Sequence, residues 1–248
     1  MDVILLAAGY ATRLYPLTLN TPKPLSTVGG KAIIQRILEK LDGLPSIGGI
    51  YIVTNDKFYA TFKEWVKTAG LKAPGPIEIV NDGTKSNDDR LGAIGDIRHV
   101  IKEKSLKGDI LVIGGDNIFE FFLGDFVEFS KAKGEVTAAF YDIKDKSKAS
   151  LYGVASIDDD RRVTDFEEKP KMPKSTLIST CVYYFPKERL RLLDDYSTDG
   201  NSTDATGNFI RWVFRRHTAF GYAFSEKWYD IGDKASLEIA DKDYHCEK

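Results

Sequence analysis

The segment 5-LLAAGYATRLYPLTLNTPKPL-25 decides the fold. An apolar run ends at Ala7, Ala8 and Gly9, and small residues, one arginine and one lysine follow at once. A buried strand that stops this way delivers its backbone to the carboxyl edge of a sheet, where ligands bind in open α/β folds. Gly9 and the small Ala7, Ala8 and Ala11 let main-chain N–H groups come close to a bulky anion. Arg13 adds a planar, permanently charged donor suited to phosphate, and Lys23 a compact point charge. The set describes a phosphate cradle, although a short glycine-containing loop alone also allows a plain turn with two surface cations. A P-loop would need GxxxxGK[ST] and a dinucleotide fingerprint GxGxxG; the spacing Gly9, Ala11, Leu14 fits neither.

Outward from this loop, short apolar runs alternate with amphipathic stretches, the pattern of βαβ units and a mostly parallel sheet. Strands are expected at 3–7, 50–54, 77–80, 110–113 and 136–141, and helices over 32–41, 58–67, 91–102 and 122–133. In the third helix Leu91, Ile94, Ile97 and Ile101 form the stripe expected to face the sheet. Beyond Lys144, strands at 152–157, 162–166 and 177–185 with few helices between them point to a second, more antiparallel layer. A helix over 205–216, a strand near 219–224 and a closing helix over 234–242 complete the reading. The polar run 82-DGTKSNDDR-90 is the candidate mobile loop.

The 248 residues carry 35 Lys+Arg against 37 Asp+Glu, so no overall basic field exists to attract nucleic acid or an anionic membrane. Any anion site must be local. No apolar run approaches the roughly 20 residues that span a bilayer, and Met1-Asp2 begins neither a basic n-region nor an h-region of signal length. A cytoplasmic protein is expected, with self-association left open. Cys181 and Cys246 lie far apart without metal-ligand spacing and are expected to be plain thiols.

The opening stretch as a whole resembles the signature loop of the sugar-1-phosphate nucleotidyltransferases, LAxGxGTRLxPLT followed by PKxL. Here the chain reads 6-LAAGYATRL-14, then 16-PLT-18 and 22-PKPL-25, with Ala11 where the pattern has glycine. Later segments match in family order. Gly114-Gly115-Asp116-Asn117 is similar to the family's (L/G)GDN, and Trp228-Tyr229-Asp230-Ile231-Gly232-Asp233 to its W-x-D-x-G-(T/D). Tyr152-Gly153-Val154 resembles RYGV, Phe166-Glu167-Glu168-Lys169-Pro170 resembles (L/F)xEKP, and Ser179 to Tyr183 resembles a TGxY strand in which Cys181 replaces glycine.

The resemblance implies a Rossmann-like nucleotidyltransferase fold, with a mixed, mostly parallel central sheet flanked by helices and a smaller antiparallel sugar-binding elaboration. It implies one domain over 1–248, of which 1–144 holds the nucleotide and 145–248 the sugar and the second metal ligand. The chain is expected to end with this domain. Asp116 and Asp230 are the implied Mg²⁺ ligands; two carboxylates completed by phosphate and water suit that hard cation. Arg13 and Lys23 are the implied catalytic cations. Leu6, Ala7, Ala8, Gly9, Thr12, Asn81 and Gly92 are implied for the nucleotide, with UTP or dTTP favoured. Tyr152, Gly153, Glu168, Lys169, Thr180 and Asn117 are implied for the sugar phosphate.

The implied reaction is in-line attack of a sugar-1-phosphate oxygen on the α-phosphorus of a nucleoside triphosphate. That oxygen is already anionic, so no serine, cysteine or histidine nucleophile is needed. One alternative is a cytidylyltransferase for a non-sugar phosphate such as phosphocholine or inositol phosphate, which would keep the loop and both aspartates. Another is a catalytically silent regulatory domain, which would have no reason to keep Arg13, Lys23, Asp116 and Asp230 together.

Overall fold

Val3, Ile4 and Leu5 are all fully buried, but in two different cores: Val3 and Leu5 face one side of the sheet and Ile4 the other. A strand covered on both faces needs helices on both sides, and the computed structural model, which describes residues 1–246, supplies them. In chain order the elements are β1 (Asp2–Leu6), β2 (Thr27–Val28), β3 (Lys31–Ala32), α1 (Ile33–Lys40), β4 (Ile50–Thr54), α2 (Asp56–Thr68), β5 (Ile77–Asn81), α3 (Gly92–Glu103), β6 (Ile110–Gly114) and β7 (Asn117–Phe119). They continue with α4 (Leu123–Lys133), β8 (Val136–Asp142), α5 (Lys146–Ala149), β9 (Gly153–Ile157), β10 (Val163–Glu168), β11 (Leu177–Phe185), α6 (Arg191–Thr198), α7 (Thr206–Arg216), β12 (Ala219–Phe224), β13 (Trp228–Asp230) and α8 (Lys234–Cys246).

The main sheet has nine strands, ordered β10-β9-β11-β6-β1-β4-β5, with β8 on β11 and β12 on β8. Its β6-β1-β4-β5 portion is parallel, so Leu6, Thr54, Asn81 and Gly114 end at one common edge. Helices α1, α2 and α4 bury Ile33, Ile37, Phe58, Phe62 and Phe126 on one face. Helices α3, α6 and α7 bury Ile94, Ile97, Leu193, Tyr196, Phe209 and Val213 on the other. On α3 the stripe is completed by buried Val100, with Ile101 only partly covered beside it.

Two expectations are corrected. The antiparallel strands do not form a second layer: β11 runs antiparallel to β6 and carries β9 and β8, so the same sheet simply continues. The polar run 82–90 is not a free loop. Asp89 accepts from Lys85 N, Ser86 N and Ser86 Oγ, closing a turn, and Arg90 is paired bidentately with Asp204, Nε to Oδ1 at 2.8 Å and Nη2 to Oδ2 at 3.0 Å. Among the described residues no helix is long and apolar enough to cross a membrane.

Candidate active site

The edge where β1, β4, β5 and β6 end is stitched at several points, and the stitches shape the opening loop. Gly115 N donates to Leu6 O at 2.8 Å, and a Cβ on Gly115 would lie 2.6 Å from that same oxygen, so only glycine lets the two strand ends close. Asn55 is fully buried; its Oδ1 caps α2 by accepting from Phe58 N, while its Nδ2 donates to Ala8 O at 2.8 Å. One side chain thus fixes both a helix start and the loop carbonyl. At Ala11 the backbone turns left-handed, φ 48°, and Thr18 Oγ1 donates to its carbonyl at 2.8 Å. The residue following it, Thr12, opens a single 3-10 turn that leaves Arg13 exposed toward the cleft.

Two cavities open here. One, of about 380 Å³, is lined by the loop from Leu6 to Arg13 together with Lys23, Gly92, Asp82 and Asp96. The other, of about 680 Å³, is lined by Tyr152, Gly153, Glu168, Lys169, Thr180, Thr206, Trp228 and Asp230 among others. Arg13, Asp116 and Cys181 belong to the walls of both. The cavities are therefore two arms of one cleft, and they meet at a cation and a carboxylate.

The two aspartates come together through a short ladder outside the main sheet. Strands β7 and β13 pair antiparallel with Asn117 opposite Asp230, and Ile231 N donates to Asp116 O at 3.1 Å. A relay then orients Asp116: Trp228 Nε1 donates to Asn117 Oδ1 at 3.0 Å, and Asn117 Nδ2 to Asp116 Oδ1 at 3.0 Å. The other oxygen, Oδ2, takes Lys23 Nζ at 2.6 Å. Burial, and then the negative charge of Asp116, raise the Asp230 carboxyl above its ordinary range, against the pull of Lys23 and Arg13. A buried carboxylate raised by a second one beside it suits a divalent cation, and the hard-oxygen donors fit Mg²⁺.

In the larger arm Glu168 sits against Gly153 and Gly207, neither of which has room for a Cβ beside its carboxylate. Burial raises its pKa, opposed by Lys169 and Arg211. Tyr152 is pushed up to about 12, first by burial and then by Asp230. The strand β11 shifts register between Ser179 and Tyr183, and Cys181 lies in that bulge with φ 57°. Tyr183 Oη bridges Ser179 Oγ at 2.7 Å and Thr206 Oγ1 at 2.8 Å, a chain of hydroxyls along the cavity wall.

Of the residues singled out in the sequence, all but Asn81 line one or other cavity, and Asn117, expected at the sugar phosphate, spends its amide on Trp228 and Asp116 instead. Asn81 lines neither: its amide donates to Asp56 Oδ1 at 2.8 Å and its oxygen accepts from Gly83 N. Thr180 does line the larger arm, but it is buried and its hydroxyl donates to Ala139 O at 2.9 Å, which commits its proton to the sheet. Gly92 earns its place by packing: at φ +76°, a Cβ would lie 2.6 Å from the Asp204 backbone. Sequence reading missed Asp82, Asp96, Arg90, Asp204, Thr206 and Gly207. Each reaches the cleft through tertiary contact, and only the density of acids in 82-DGTKSNDDRLGAIGD-96 hinted at any of them.

Comparison with other proteins gives this cleft its context. A family model described as nucleotidyl transferase matches residues 2–247. A bifunctional protein GlmU from Methanocaldococcus jannaschii is 31% identical over 246 residues, 98% of this chain and 54% of that protein. A glucose-1-phosphate adenylyltransferase from Clostridium acetobutylicum is 29% identical over 255 residues, covering 97% and 66% respectively. The chain thus spans about half to two-thirds of the length of these curated relatives. A solved structure of UDP-glucose pyrophosphorylase with UDP-glucose superposes with a TM-score of 0.80 at 18% identity, covering 100% of this chain and 99% of that one, a likeness of fold. With the family model matched along almost its whole length, the chain belongs to the nucleotidyl transferase family.

Proposed function

We propose that the chain transfers a nucleotidyl group from a nucleoside triphosphate, UTP or dTTP by its sequence resemblance, to a sugar-1-phosphate. An oxygen of the sugar phosphate attacks the α-phosphorus, a new P–O bond forms, the bond to the β-phosphate oxygen breaks, and pyrophosphate leaves with the electron pair. The observation that carries this reading is the junction: two arms of one cleft meet at Arg13 and Asp116, where two phosphate-bearing substrates would be brought together.

On this reading residues 1–144 form the nucleotide half and 145–248 the sugar half of one domain. The main-chain N–H groups from Ala8 to Thr12 cradle the triphosphate, with Gly92 beneath the nucleoside. Arg13, exposed on its 3-10 turn, offsets charge on the departing pyrophosphate, the kind of preorganised donor that stabilises a transition state most. Lys23, whose Nζ lies 2.6 Å from Asp116 Oδ2, is placed beside the junction to bind the α-phosphate. Asp116, oriented by Asn117, and Asp230 would hold Mg²⁺. When bound, the ion neutralises charge shared by the two substrates' phosphates. Lys169 anchors the incoming phosphate, and Glu168, Tyr152, Gly153 and Thr180 line the sugar.

Direct transfer needs no enzymic nucleophile, and at Cys181, the thiol at the junction, burial and then the charge of Asp116 disfavour the reactive thiolate. A pyrophosphate-release assay with Mg²⁺, over a grid of nucleoside triphosphates against sugar-1-phosphates, tests the proposal. Turnover in at least one pair, lost on chelation with EDTA, is expected. Silence across the whole grid from folded protein would overturn it in favour of a regulatory role.

A further inference from the structure

Asp116 and Asp230 are brought together by a short ladder, and the ladder itself needs support. Strands β7 and β13 have three residues each and form a sheet of their own beside the main one. Two strands of that length are marginal unless something packs against them. Side chains alternate along β13: Trp228 and Asp230 line the larger cavity, which turns Tyr229 to the opposite face. That face meets α8, which begins at Lys234, four residues after Asp230.

Helix α8 has little apolar surface with which to hold a ladder. Of its described residues Ala240 alone is buried, and Ile239 is exposed. What seats it is a set of polar bonds in its last turns, about 15 Å along the axis from Lys234. Asp243 Oδ2 accepts from Tyr229 Oη at 2.8 Å, and Tyr244 Oη donates to Glu120 Oε1, one residue beyond β7. The two tyrosine rings meet edge to face, with centroids 6.0 Å apart. Adjacent residues of one helix therefore tie down both strands of the ladder. The same turns are anchored to the body of the domain. Asp241 Oδ1 accepts from Gly29 N at 2.8 Å, and the Arg36 guanidinium lies over the Tyr244 ring at 4.1 Å. Only glycine allows this seat: at φ +57°, a Cβ on Gly29 would lie 2.6 Å from Arg36 Nη2 and 2.7 Å from Tyr244 Cβ. Lys40, on α1, holds the other oxygen of Glu120 at 2.6 Å.

Resting on the reading of Asp116 and Asp230 as the holders of Mg²⁺, we infer that Tyr229 and Tyr244 are positioning residues for that ion, fixing the spacing of the two carboxylates through α8. Neither tyrosine lines either arm of the cleft, so neither contacts a substrate directly. A divalent cation gains most from two carboxylates that are already held together when it arrives, and outer partners that hold ligands in place set metal affinity in this way. The orientation of Asp116 depends on the same ladder, because the bond from Trp228 Nε1 to Asn117 Oδ1 crosses from β13 to β7. Freeing either strand from α8 lets the ladder shear, and both the spacing and the relay loosen with it.

The test measures ion binding without substrates. The full chain is titrated with Mn²⁺, the free ion being read by electron paramagnetic resonance, for the wild type, Tyr229→Phe, Tyr244→Phe, the double variant, Asp116→Ala and Tyr184→Phe. The two phenylalanine changes keep the rings and remove only the hydroxyls. Tyr184→Phe removes a similar bond, Oη to Asp109 Oδ2 at 2.6 Å, at the other end of β6, and so controls for general loosening. The double variant should raise the Kd for Mn²⁺ about tenfold, the lower end of the range for outer partners of a metal site. Each single variant should show part of that rise, and Tyr184→Phe none. The Mg²⁺ concentration for half-maximal pyrophosphate release should rise by the same factor, with both substrate KM values unchanged at saturating Mg²⁺. Mn²⁺ binding that Asp116→Ala abolishes but the folded tyrosine variants leave intact, or that Tyr184→Phe weakens equally, overturns the inference and leaves the metal reading standing. Binding that survives Asp116→Ala, or no binding by the wild type, overturns both. Should the double variant not fold, the single variants decide by the same criterion.

Discussion

The two arms of the cleft are walled by different parts of the polypeptide. The smaller arm is lined by the contiguous stretch from Leu6 to Arg13, with Ala7, Ala8, Gly9 and Ala11 small, and by Gly92 and Gly114, at the ends of parallel strands and at a helix start. The larger arm is lined by side chains, with Glu168, Tyr152 and the Tyr183–Ser179–Thr206 hydroxyl chain gathered from β10, β11, α7 and the turn before β9. A phosphate is recognised by close backbone N–H groups, which demand small residues in an unbroken run. Sugar hydroxyls are recognised by individual acceptors and donors, which any number of chain segments can bring. The first kind of wall is local in sequence; the second exists only after folding.

The largest expected effect falls where the arms meet, because Asp116 and Arg13 line both. Replacing either with alanine should lower turnover on the order of 10²-fold or more, the cost of losing one preorganised charge-bearing group. Circular dichroism should show the fold intact. Near-normal turnover in Asp116→Ala would break the assignment of the junction as the reacting centre.

That contrast also governs what could be read in advance. The strand ends and the opening loop were legible because their chemistry is contiguous: a two-faced apolar strand, a run of small residues and two cations suffice. The continuation of the sheet was misjudged because strand periodicity says nothing of which neighbour a strand pairs with, and β11 pairs with three. Asn81 held the right sequence position for a base contact, but Asp56 and Gly83 N claimed its amide. Asp82 and Asp96 stayed hidden because an acid in a polar run normally faces water, and only the approach of α3 to the end of β5 buries them.

The buried carboxyls sharpen the comparison next. Asp96 has no cation to balance it, while Glu168 in the other arm has Lys169 and Arg211 opposing its shift. An ordinary aspartate titrates near ~3.9, and Asp96 does so at about 8 when folded. Between those values the native state binds more protons than the unfolded chain, so this group's contribution is fully present below about pH 4 and drains away as pH rises to about 8. The slope is at most about 1.4 kcal/mol per pH unit. Urea melts from pH 6 to 9 should therefore show the wild type losing stability relative to Asp96→Asn up to about pH 8, with little further divergence above it. The same comparison with Glu168→Gln should give a much shallower difference.

Glu168→Gln also separates the arms kinetically. The KM for sugar-1-phosphate should rise about tenfold, the worth of one hydrogen bond to a charged group, with the KM for nucleotide unchanged. Equal rises in both would mean that the arms are coupled and that the division by wall type is only architectural.

The smallest effect compares two left-handed residues, Ala11 at φ 48° in the smaller arm and Cys181 at φ 57° in the wall that the arms share. Both stand where the resembling pattern has glycine, and a left-handed backbone costs a residue with a Cβ about 1–2 kcal/mol. Glycine at either position removes that strain but adds about 0.5–1 kcal/mol of unfolded-state entropy. At Ala11 the only group lost is a partly buried methyl, so Ala11→Gly should raise stability by roughly 0.5 kcal/mol, read as a higher urea midpoint. Cys181 differs because its Cβ and Sγ pack against Gly114, close enough that a Cβ on Gly114 would meet them at 3.0 and 3.1 Å. Cys181→Gly therefore gives up buried packing of about the same size as the strain it relieves, and its midpoint should stay level or fall. If both variants gain equally, the thiol contributes nothing to the wall, and the bulge in β11 is held by its ladder alone.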